Sequence, residues 1–185
     1  GAIDGPVYNA TPVSNVRPVE PLDTRDASQV LAALAAVGSA RIVDLEAPRL
    51  SGAVYTPYDV AASLVDLVGL EPGETVCDPA VGGGVFLLAA AERLLAAGQA
   101  PADIAAALRG IDVDPGSVAT ATAVLGLWFW WRTGEWLSVD GVVVADGLTE
   151  PPAAWIGATD VVVGNPPFLG QLRTDTARSP AQAAT

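Results

Sequence analysis

Apolar side chains at Val30, Leu31, Leu34 and Val37 form one helical stripe, which Asp26 or Ser28 can cap and Gly38 closes. A second stripe, Val60, Ala61, Leu64, Val65 and Val68, follows Thr56 as a candidate N-cap and Pro57 at the first helical position, and stops at Gly69. Past Gly69 the period changes. Short β-branched runs at 75–78, 108–112, 142–146 and 160–164 alternate with helical stretches at 85–97 and 115–131, and a short helix at 101–108 leads into the second run. That alternation predicts a parallel sheet covered by helices. The first 24 residues, with Pro6, Pro12, Pro18 and Pro21 and little periodicity, read as an extended arm, and a polar, Ala-rich tail follows Phe168. The run 127–131, Leu-Trp-Phe-Trp-Trp, is apolar all round, which fits either a helix end wedged into the core or an interface with polypeptide outside this chain.

Composition narrows the class. A chain of 185 residues, 51% hydrophobic and 16% charged, is suited to one domain with a buried sheet. The longest nearly unbroken apolar stretch, 123–131, is about half the 18 or more residues a membrane span needs. With no basic n-region leading into an apolar h-region, the cytoplasm is the expected compartment. The chain has no His, no Lys, no Met and one cysteine, Cys77, so within it a closed zinc site, a Ser-His-Asp triad and a Walker A lysine are excluded, and no metal site is expected. Cys77, inside an apolar run, reads as a small buried hydrophobe. A formal charge of −12 opposes charge-driven binding of DNA by this segment, so any grip on phosphates must come from elsewhere.

Candidate chemistry gathers at strand ends. Asp78, Asp112, Asp146 and Asn165 each end a predicted strand, where open α/β sheets bind ligands. Asp78, Asp112 and Asp146 recur every 34 residues, but the flanking sequence does not repeat, which excludes a solenoid. Asp78-Pro79-Ala80-Val81-Gly82-Gly83-Gly84 follows the first strand and opens a helix, as a loop cradling a nucleotide-like ligand does. A dinucleotide fingerprint fits poorly, since Leu87 stands at its third glycine position. Asp112 is placed to accept ribose hydroxyls, pointing to an adenosine moiety. In Asn165-Pro166-Pro167-Phe168 the paired prolines fix φ and lack donors, so the Asn amide and a backbone carbonyl sit in a rigid, acceptor-rich turn before an aromatic.

Over 52–170 the sequence resembles the S-adenosylmethionine-dependent N6-adenine DNA methyltransferases of the amino-methylating class. The resemblance rests on Tyr55-Thr56-Pro57, DPAVGGGVFL, GIDVDP, VADGL and VVGNPPF, in the motif order of the type I and type II G restriction-modification enzymes. One departure is Gly83, where the family usually shows Ser. The resemblance implies a Rossmann-like class I methyltransferase sheet, here incomplete with about four parallel strands, preceded by an extended and helical segment. It divides the chain into an N-terminal arm and helix at 1–50, a partial cofactor-binding core at 51–170 and a tail at 171–185. Tyr55, Thr56 and Pro57 would line the methionine end of S-adenosylmethionine, Asp78 and Gly82 its amino acid, Asp112 the ribose, Val113 the adenine face, and Asp146 with Leu148 the adenine edge. Pro79, Ala80, Gly84, Phe86 and Gly147 complete the cofactor-binding set. Asn165, Pro166, Pro167 and Phe168 would hold a flipped target adenine. The expected activity is that of a site-specific, adenine-specific DNA methyltransferase in restriction-modification or phage defence. Double-stranded DNA would be held by regions outside this segment, and further polypeptide, from the same or a partner chain, would supply the remaining strands and target recognition, without which the segment alone need not be active. No membrane partner is expected. A protein-glutamine N5 methyltransferase, which also uses an Asn-Pro-Pro-aromatic motif, and a non-catalytic S-adenosylmethionine-binding or assembly module are the alternatives.

Overall fold

The computed structural model describes residues 24–39 and 56–166. Helix α1 spans Ala27–Ser39 and α2 Tyr58–Val68. Strand β1 (Val76–Asp78) is followed by α3 (Val85–Ala96) and α4 (Pro101–Ala107). Strand β2 (Leu108–Asp112) leads to α5 (Pro115–Thr133), then β3 (Val142–Val144), a 3₁₀ turn at Ala153–Trp155 and β4 (Val161–Val162). All four strands are parallel, in the order β3-β2-β1-β4. The order therefore reverses beside β1, which makes the β1/β4 crevice the switch point of the sheet.

The α3 sequence, VFLLAAAERLLA, buries Phe86, Leu87, Leu88, Ala89, Ala90, Ala91 and Leu94 together because it lies between the strands and α2. Leu108 and Ile111 on β2, Ile104 on α4, and Leu125, Trp128 and Phe129 on α5 fill the remaining core. Trp128 meets Phe129 edge-on at 4.7 Å and donates its indole N–H to Glu92 at 2.9 Å; Glu92 also pairs with Arg132 at 2.8 Å. The aromatic run is thus split. Trp128 and Phe129 are core, Trp131 is half-buried with its Nε1 donating to the Thr24 carbonyl, and Leu127 and Trp130 face outward.

Two helical stripes differ from expectation. On α2 only Ala61 and Val65 face the core, while Val60, Leu64 and Val68 are exposed, because one strip of small and branched residues is enough to seat the helix on α3. On α1, Val30, Leu31 and Ala35 are buried and Val37 is exposed. The helix continues through Gly38, whose backbone lies flat against Gly83, leaving no room for a Cβ on either residue. Asp26 caps α1 as expected, accepting the Ser28 N–H at 3.0 Å. Thr56 does not cap α2. Pro57 stands at the cap with an extended backbone (φ −60°, ψ 149°), no side chain caps the helix, and the Thr56 hydroxyl is engaged elsewhere. The expected arm lies outside the described residues up to residue 23, and the tail at 171–185 lies wholly outside them.

Candidate functional site

Because the strands run parallel, their carboxyl ends fall on one side of the sheet, and Asp78, Asp112, Asp146 and Asn165 share that side. The glycine loop between β1 and α3 is held from beneath. Val81 N–H donates to the Ile111 carbonyl at 2.8 Å and Gly84 N–H to the Val81 carbonyl at 2.7 Å. Gly82 (φ 49°) and Gly84 (φ 84°) take left-handed backbone that L side chains rarely adopt, which lets the chain turn sharply into α3. The third glycine of a dinucleotide loop is replaced from the other side. Leu87 is fully buried, and Gly110 on β2 makes the space for it and for Val81, since a Cβ at 110 would lie 2.8 Å from Val81 Cγ2 and 3.1 Å from Leu87 Cδ1.

Asp78 is buried under Gly164, where a Cβ would come 2.6 Å from Asp78 Oδ1. Its carboxylate accepts the Ala80 N–H at 3.0 Å. Its pKa is pushed up to about 7, chiefly by burial, with the Ala80 hydrogen bond opposing and Asp112 adding to the rise. Asp112 braces the loop, accepting Gly82 N–H on Oδ2 and Asp114 N–H on Oδ1, each at 2.9 Å, and keeps lone pairs for further donors. Val113 next to it is 68% exposed. Asp146 is folded onto its own turn, accepting Leu148 N–H at 2.9 Å and Thr149 N–H at 3.2 Å, and the Thr149 side chain first, then these backbone bonds, hold its carboxyl below the usual range. Leu148 is 75% exposed, and Gly147 packs directly on the Pro79 carbonyl.

Asn165 follows β4 and donates its amide N–H to the Thr56 hydroxyl at 3.3 Å, bringing together two motifs 109 residues apart. Sequence reasoning missed this contact, along with Gly110 and Gly164. The glycines stand in GIDVDP and VVGNPPF, but nothing local reveals which side chains press on them. Phe86 lies in the core, Pro166 is exposed, and Tyr55, Pro167 and Phe168 fall outside the described residues. Cys77 is buried, and burial pushes its thiol up to about 11, which fits the structural role read from sequence. No metal cluster occurs among the described residues, nor is any helix there long and apolar enough to cross a membrane.

The site is acidic where many nucleotide sites are basic, since its glycine loop carries no Arg or Lys and Asp78, Asp112 and Asp146 surround it. Such a donor set opposes a pyrophosphate and suits a cationic ligand with hydroxyls to donate and an aromatic ring to cover Val113. The family model of N-6 DNA methylases matches residues 45–182. The chain belongs to that family and is a DNA methyltransferase by class.

Proposed function

We propose that the chain transfers a methyl group from S-adenosylmethionine to the N6 amine of an adenine flipped out of duplex DNA, in a restriction-modification or phage-defence system. The observation that carries this reading is the position of Asn165 just beyond the carboxyl end of β4, across the switch point from buried Asp78 on β1. The residues present fit the methyl donor: Asp78 suits an ammonium, Asp112 a ribose, Val113 and Leu148 the faces and edge of an adenine, and the turning backbone of Gly82 and Gly84 admits the ligand close to the main chain. When bound, that donor supplies an electrophilic methyl carbon on a sulfonium.

The chain's own part concerns the acceptor. The lone pair of adenine N6 is delocalised into the ring, which makes it a poor nucleophile. Asn165 Oδ1 and the Pro166 carbonyl each accept one N6 hydrogen and draw the nitrogen toward a tetrahedral form with its lone pair facing the methyl. With Asn165 and Pro166 holding the amine, the surplus N6 proton would pass to water, and the C–S electron pair would remain on sulfur as the methyl leaves. Phe168 stacks on the base and offsets part of an unstacking cost of a few kcal/mol. In this reading residues 51–170 are the cofactor-binding core, preceded by an arm and helix at 1–50 and followed by a tail at 171–185. The net charge of −12 leaves the grip on duplex DNA to other polypeptide, which also extends the sheet. The setting is the cytoplasm.

Single-turnover methylation by the full-length protein tests the assignment. Asn165→Ala should slow methyl transfer about 100- to 1000-fold with cofactor affinity unchanged, by analogy with losing one oxyanion-hole donor. Phe168→Ala should be partly relieved on a mismatched target adenine, since stacking is worth about 1 to 3 kcal/mol. A full rate in Asn165→Ala overturns the reading.

A further inference from the structure

We propose that Thr56 is a positioning residue for methyl transfer, its hydroxyl holding the Asn165 amide so that Oδ1 is presented to the target amine. This rests on the reading of Asn165 as an acceptor for adenine N6 and goes beyond it, giving the Thr56 hydroxyl to Asn165 in place of the methionine end of the cofactor that the resemblance implies.

A Thr before Pro at a helix start ordinarily serves its own helix. Here Pro57 occupies the cap of α2 and no side chain caps it, so the Thr56 hydroxyl is released from that local duty and meets Asn165 Nδ2 at 3.3 Å. The platform beneath Thr56 is fixed by Ala61 and Val65, which are buried against α3. Asn165 has a constrained backbone, between Gly164 pressed on Asp78 and the ring of Pro166, but the torsion of its terminal amide is broad and roughly two-fold. That torsion decides the chemistry. An amine brings only donors, so an amide turned the wrong way would present N–H to N–H.

The Thr56 hydroxyl can donate or accept; because the amine brings only donors, Oδ1 must face the substrate, and Thr56 Oγ1 accepts the amide N–H that is then turned inward, as in the observed orientation. Both groups are partly buried, so water competes less for the bond. The consequence is a division of labour. Thr56 touches neither the reacting nitrogen nor the methyl carbon, and it acts on the rate through Asn165.

The test uses the full-length protein, unmethylated plasmid DNA of mixed sequence and tritiated S-adenosylmethionine, with single-turnover rates and calorimetric cofactor affinity measured for each variant. Thr56→Val keeps the shape and removes the hydroxyl, and should slow transfer about three- to tenfold while cofactor affinity stays within about twofold. Thr56→Ser should restore the wild-type rate. In an Asn165→Ala background, Thr56→Val should add no further loss, since the two residues act as one unit. The positioning role is overturned by a full rate in Thr56→Val, by a Ser variant as slow as the Val variant, by a loss that appears as weakened cofactor binding, or by an equal loss in the Asn165→Ala background. A wild-type protein that methylates no DNA adenine overturns the proposed function and this role with it, whereas the variant patterns strike the role alone.

Discussion

Asp78 shows how a single carboxylate can be kept at a cost to the fold. Its pKa moves from 3.8 to about 7 because the strand end and Gly164 exclude water from it. The folded chain therefore holds this proton to higher pH than the unfolded chain does. Its contribution to stability is full below about pH 3.8 and is lost as pH rises through about 7, an effect on the order of 4 kcal/mol. A group with no ligand to meet would be better replaced. Asp78→Asn should flatten the fall in thermal stability between about pH 4 and 7 and leave the ligand-free protein more stable than wild type near pH 8, while cofactor affinity drops at least about tenfold. Melting curves parallel to wild type across that range would contradict the buried, protonated state. Asp160 works the other way: Thr75 N–H and Oγ–H, each at 2.8 Å, hold its carboxyl low, so its support is present above the ordinary carboxylate range and is lost as acid protonates it.

At the scale of elements, α1 lies on the glycine loop through the Gly38–Gly83 contact, so the loop is held from outside as well as from β2. Gly83→Ser should lower stability by about 1 to 3 kcal/mol through overpacking and speed amide exchange along α1, both readable by melting and hydrogen exchange. A variant as stable and as protected as wild type would show that α1 does not need this approach. The same contact marks what the sequence could and could not tell. Asp78 and Asp112 end their strands as expected, but β3 stops at Val144 and β4 at Val162, short of the expected 146 and 164, so Asp146 and Asn165 stand in the loops just beyond; α5 begins at Pro115 as expected, with Asp114 accepting Gly116 and Ser117 N–H. Local signals of this kind need no knowledge of neighbours. The exposed Val60, Leu64 and Val68 were misread because helical spacing gives a stripe without saying how much of it a partner covers. Thr56 was misread because capping is the local default, while its partner, Asn165, is distant in sequence and adjacent only once β4 joins β1.

For the whole molecule, sheet order, acidity and family membership bear on one account. The end of the sheet beside β1 gathers carboxylates that suit a cationic nucleoside, and under the proposed function the −12 charge assigns methyl-donor binding to this chain and the grip on a polyanion to other polypeptide. Outward-facing Leu127, Trp130 and Trp136, and the outer edges of β3 and β4 within the described sheet, are surfaces that further polypeptide can cover. The central claim, methyl transfer to adenine N6, is tested most directly by incubating the full-length protein with labelled S-adenosylmethionine and unmethylated plasmid DNA, digesting the DNA to nucleosides and identifying the labelled product by mass spectrometry. The account predicts N6-methyladenine from the wild type and a loss of about 100-fold or more from Asn165→Ala; label on cytosine, on protein glutamine or on no acceptor at all would contradict it.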